Sequence, residues 1–240
     1  MNIFFDTEFT GLVPGTTLIS IGMVTQWDVE FYAEFTDYNK GMCDSWIREN
    51  VLDNLVFSKA NMVCGKNIEK YHVLTERYMK NDIWEGNMYV RGDRQVVRHN
   101  LIRWLKQFGE ERIQLISDVC HYDMVLFCNL FNGAFGLPKN INPVCYDICQ
   151  DICARAEKGD LDFNNRLFSS MESYNEYERH FRSDRLYWWA DTGYMMDAFN
   201  ISRETLCEKH AGYLPETFGS KHNSLYDAKV IKLIYEGMRG

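Results

Sequence analysis

A chain of 240 residues is long enough to bury a substantial core, and 46% hydrophobic and 15% aromatic content with only four prolines excludes a disordered or linker-rich assembly. A formal net charge of -8 excludes a protein that coats long duplex DNA through many Lys and Arg contacts to phosphate, but it leaves open a grip on short or single-stranded ends by a pocket whose acids hold cations. No apolar run approaches the roughly 18 residues of a membrane span, which excludes a transmembrane helix.

In chain order, residues 3–5, 17–24 and 29–35 read as three strands whose short connections suit an antiparallel meander. Asp44 reads as the N-cap of a helix carrying Trp46, Ile47, Val51, Leu52 and Leu55. A second helix runs through Val96, Val97, Leu101, Ile102, Leu105 and Phe108. Residues 114–119 form a fourth strand, 122–132 a helix, and 142–146 a fifth strand ahead of a cysteine-bearing helix; two more helices cover about 202–212 and 224–237. This order predicts an α/β fold with a mixed five-stranded sheet flanked by helices, in one domain over 1–240 with insertions at about 57–91 and 158–189.

The second insertion interleaves Arg179, His180, Arg182 and Arg185 with Tyr187, Trp188 and Trp189, the composition of a single-strand stacking platform or of a helical lid with solvated charges. Eight cysteines without a CxxC pair, and no signal-like apolar stretch near the first residue, predict free thiols and a cytoplasmic location. Cys145, Cys149 and Cys153 repeat at helical spacing and read as a buried stripe rather than a zinc site.

The first strand runs into Asp6 and Glu8. If the strand continues through them, both carboxylates point to one face, where adjacent negative charges are costly without a cation between them. A hard divalent metal is the natural partner. Alone, two acids two residues apart are a weak signal. Asp123, at the start of a helix after a strand, and His222 with Asp227, opening the last helix, complete a constellation of four acids and one histidine.

Three segments match a known pattern in order: Phe5-Asp6-Thr7-Glu8-Phe9-Thr10-Gly11-Leu12, residues 118–127 with Asp123 as the acid, and His222 five residues before Asp227, with Ala228 following. In them the chain resembles the DEDDh 3'-5' exonucleases, the family of ribonuclease T, oligoribonuclease and the proofreading exonuclease subunit of bacterial DNA polymerase. Element order agrees over nearly the whole chain, while residue matches are confined to the motifs and their flanks. Trp46-Ile47-Arg48-Glu49-Asn50-Val51-Leu52 is similar to the helix that follows the third strand in a branch of small bacterial and phage 3'-5' exoribonucleases. Many members carry His-Asn where this chain has Asp118-Val119, so Asp118 competes with Asp123; Tyr122 before it and Val125, Leu126 and Phe127 after it keep the motif in register on Asp123. Asp147 is a lesser competitor that reads as a helix cap.

The resemblance implies a ribonuclease H-like fold and a metal-dependent enzyme that removes nucleoside 5'-monophosphates from the 3' ends of single-stranded RNA or DNA, or from short oligonucleotides, with RNA slightly favoured. It implies two Mg2+ or Mn2+ ions per site, held by Asp6, Glu8, Asp123 and Asp227, and His222 as the general base toward the attacking water. Phe9, Thr10 and Leu12 then hold the terminal nucleotide and its 3'-hydroxyl, with broad base tolerance. The alternatives are the same chemistry on single-stranded DNA or a small nucleotide signal, and a non-catalytic nucleic-acid-binding module on a decayed exonuclease fold, which has little reason to keep four clustered acids. Many members pair up, which leaves a homodimer open.

Overall fold

The computed structural model describes residues 1–57, 86–151 and 222–239, with the backbone alone of 72–75, 79–80 and 83–84. The predicted helix at 202–212, the insertion at 158–189 with its cation and aromatic cluster, and Cys153 lie outside the described residues.

The strands are β1 (Asn2–Phe9), β2 (Leu18–Thr25), β3 (Glu30–Phe35), β4 (His72–Thr75), β5 (Met79–Lys80), β6 (Ile83–Trp84), β7 (Met88–Gly92), β8 (Gln114–Ser117) and β9 (Tyr146–Asp147). Seven of them form one mixed sheet in the order β4-β7-β3-β2-β1-β8-β9, and β5 pairs with β6 separately. The antiparallel meander of β1, β2 and β3 is present, while β7 joins β3 and β8 joins β1 in parallel. The α-helices that lie wholly within the described residues are α1 (Ser45–Asn50), α2 (Arg94–Lys106), α3 (His121–Leu130) and α4 (Ser224–Gly237).

The expectation of five strands is corrected to seven. The run Met88-Tyr89-Val90 is too short for periodicity to separate it from a loop, and the expected insertion boundary at residue 91 falls inside β7. The last strand is also shorter than the predicted 142–146, because Pro143 lacks a ladder donor and the Asn142 side chain accepts from Val144 N to make a turn. By contrast β1 runs on to Phe9, past the predicted end at residue 5, so Asp6 and Glu8 are strand residues.

Alternation along β1 divides the packing. Ile3 and Phe5 enter the main core with Ile21, Met23, Phe31, Trp104 and Phe127, which brings α2 and α3 onto that face. Phe4 points the other way and meets Tyr235 of α4 edge-on, with ring centroids 5.2 Å apart. Helix α4 lies so close to β2 that a Cβ at Gly22 would collide with the backbone of Ser224 and Leu225. Gly22 is the cross-strand partner of Asp6, so this approach sets the distance between α4 and the first-strand acids. Gly22→Ala is expected to lower stability by about 1–3 kcal/mol through overpacking, read as a fall in Tm of about 2–4 °C per kcal/mol. An unchanged Tm would mean that α4 does not need that contact.

Candidate active site

The site lies at the carboxyl ends of the parallel neighbours β1 and β8, a common place for ligands in α/β sheets. Asp6 pairs with Gly22 and Glu8 with Ser20, so both acids share the face covered by α4. The register then shifts between Glu8 and Phe9. Beyond this irregularity Leu18 joins the main core, whereas Ile19 packs with Cys43, Ile47, Val51 and Leu55 around α1.

From above this face, α4 delivers two further groups. Ser20 and Ser224 hydroxyls meet at 3.0 Å in a buried contact that ties β2 to the first residue of the helix. Asn223 caps the helix, its Oδ1 accepting from Leu225 N and Tyr226 N, while its Nδ2 donates to Asn54 O and to the Tyr32 hydroxyl. His222 adopts a left-handed backbone with φ of 65°, and its N–H donates to Asp227 Oδ2 at 2.9 Å. The result is a tight group in which one donor atom each from Glu8, His222 and Asp227 lies within 4.8 Å of the others.

The opposite side is built after β8. Val119 takes a left-handed φ of 45°, and the Asp147 carboxylate accepts from Val119 N and Cys120 N, both at 3.3 Å, as well as from Cys149 N. Asp147 is therefore both a cap and a clamp on the turn into α3. Asp123, in the first turn of α3, is buried, and its Oδ1 accepts from Thr7 N at 3.0 Å and Thr7 Oγ1 at 2.6 Å. Thr7 sits between Asp6 and Glu8, so these bonds fix α3 to the strand that carries them. Asp118 also lines the cleft, and its charge bears on Asp6 and Glu8. The structure thus brings together Asp6, Glu8, Asp123, Asp227 and His222, and adds Asp118.

Crowding and burial make these acids reluctant to ionise. Desolvation first, then the charges of Asp123, Glu8, Asp227 and Asp118, hold the Asp6 carboxyl well above its ordinary range. Desolvation, then Asp227, Asp123 and Asp118, do the same for Glu8. Burial pushes Asp123 up to about 6, although its bonds from Thr7 pull the other way. Among the described residues no Lys or Arg lines the cleft.

The cleft encloses about 780 Å³. One wall stacks Phe9 on Tyr122, centroids 5.4 Å apart, and the rim carries Leu12, 73% exposed. The opposite wall is α1, with Trp46 in the cleft. Thr10, which the resemblance placed at the nucleotide, is buried away from the cleft lining; its hydroxyl meets those of Thr16 and Thr17 and accepts from Thr17 N, pinning the loop that presents Leu12. Sequence reasoning did not single out Trp46 or Tyr122 as cleft residues. The signal for Trp46 was an aromatic on the outer face of a helix whose Ile47 and Val51 face inward.

No protein-family model matches the chain. It does align, at 28% identity over 141 residues, with two curated proteins from strains of Mycobacterium tuberculosis, each named a 3'-5' exoribonuclease. The chain is similar to 3'-5' exoribonucleases. The alignment spans 59% of this chain and 67% of each relative. No described helix is long and apolar enough to cross a membrane.

Proposed function

We propose that this chain is a DEDDh-type, metal-dependent 3'-5' exonuclease on a ribonuclease H-like fold, acting on single-stranded ends and releasing nucleoside 5'-monophosphates. RNA is the favoured substrate, in keeping with the names of the two relatives. The observation that carries the reading is the convergence of five carboxylates and the His222 imidazole at the ends of β1 and β8, with no Lys or Arg lining the cleft among the described residues.

Hard oxygen donors whose charges repel one another fit Mg2+ or Mn2+, and Asp6, Glu8, Asp227 and Asp123 would hold two such ions. When bound, the ions acidify water and offset charge on the departing 3' oxygen. Asp123 has its Oδ1 on Thr7, so it would contribute through its other oxygen, and Asp118 would assist from the same cleft. His222 accepts the proton of the attacking water, which requires the neutral imidazole. Phe9 on Tyr122, together with Leu12, seats the terminal base on apolar surface that every base can use, which supports broad base tolerance. Thr10 acts through the loop that it pins. The five described cysteines are all free thiols, in keeping with a reducing, cytoplasmic setting.

The test is digestion of 5'-labelled RNA, matched DNA and a dinucleotide with Mg2+ and with EDTA. A ladder shortened from the 3' end, fastest on RNA and absent with EDTA, is expected. An unaltered oligomer that still binds would replace the enzyme with a binding module.

A further inference from the structure

We propose that Trp46 is a positioning residue for His222, holding the imidazole at the angle from which it faces the attacking water; this rests on the nuclease reading above. The backbone of His222 is fixed by its left-handed φ and by the bond from its N–H to Asp227, restraints that act on the main chain, whereas the angle of the ring is set by what its side chain touches. A ring contact comes from outside α4. Trp46 and His222 rings meet at 4.9 Å between centroids with 74° between planes, the edge-to-face arrangement in which aromatic rings attract.

Trp46 is well founded for this task. Asp44 Oδ1 caps α1 on Ile47 N, and Arg48 Nε donates to Cys43 O. Asn50 Nδ2 donates to the Trp46 carbonyl, and Ile47 and Val51 sink into the pocket around Ile19. The base of the indole is therefore rigid, while the ring stands in the cleft about half exposed. An indole half exposed at a cleft wall with no partner would suggest base stacking alone; its seat against the His222 ring gives it a second role. Misplacing a reacting group by about 1 Å costs roughly 100-fold in rate, so loss of this wall should be felt in turnover.

The experiment uses the full chain with Trp46→Ala, Trp46→Phe, and each in a His222→Ala background. Trp46→Ala is expected to lower kcat about 10- to 100-fold with KM within about threefold on purine-ended and pyrimidine-ended RNA. Trp46→Phe should restore most of kcat, and in His222→Ala the further change at Trp46 should have no effect on residual single-turnover rate. A rise in KM at constant kcat, or an equal loss in the His222→Ala background, overturns the proposal in favour of substrate stacking. Proton NMR supplies a readout free of activity: the His222 ring signals, identified by their disappearance in His222→Ala, should shift in Trp46→Ala as the indole ring current is removed. Were no oligomer cleaved at all, the nuclease reading would fall; unchanged His222 signals would overturn the contact itself.

Discussion

Asp6→Asn is expected to lower the rate of phosphodiester cleavage by about 10³-fold or more, and to raise the Tm of the metal-free protein. The first effect follows because a divalent ion contributes several kcal/mol to the transition state, and each 1.4 kcal/mol is tenfold. The second follows because Asp6 ionises against desolvation and against four neighbouring acids. Removing that charge relieves repulsion in the folded state, at about 2–4 °C per kcal/mol for a chain of this size. The sign of the pH dependence is the same. A carboxyl whose folded-state pKa is raised keeps its proton longer folded than unfolded, so metal-free stability is full below the unfolded value and lost as pH rises through the folded one. For Asp123 that window runs from its ordinary 3.8 up to about 6, and Asp6 and Glu8 move in the same direction. Thermal scans across this range should show Tm falling as pH rises without metal, with added Mg2+ reversing the loss near neutrality. A Tm that climbs through the window would contradict the repulsion.

His222→Ala is expected to cut kcat by about 10²- to 10⁴-fold, the usual range for a general base, with KM changed only a few-fold. Alanine also meets the left-handed backbone at this position, φ 65°, which asparagine tolerates better. His222→Asn is therefore the cleaner comparison, because it preserves the turn that presents Asp227 while removing the proton acceptor. Equal losses in the two variants assign the effect to the imidazole; full activity in His222→Asn would remove the base role.

Much of the arrangement was legible in the chain because its signals are local. Asp44 before an apolar stripe marked α1, since a cap satisfies donors within a few residues, and the helix expected at about 224–237 is α4. The pair Asp6 and Glu8 was legible because strand alternation needs only two positions. What was missed depends on contacts distant in sequence. β7 is defined by its place beside β3, not by its five residues, and the pinning of Asp123 to Thr7 crosses 116 positions. Asp147 read as a helix cap, yet it also clamps the turn that aims Asp118 and α3, a role visible only once β9 lies beside β8. Thr10 sat inside a matching motif, but its hydroxyl turns into the β1–β2 loop rather than toward the cleft. The closeness of Trp46 to His222 likewise joins α1 to the turn before α4, far apart in the chain.

Calorimetric titration of Mn2+ into the wild-type protein and into Asp6→Asn addresses the acidic cluster directly, without reliance on any substrate. Saturable binding to the wild type, tighter at higher pH with release of protons and lost in Asp6→Asn, is the predicted result. Absence of binding to the wild type, or equal binding to both proteins, would contradict the account.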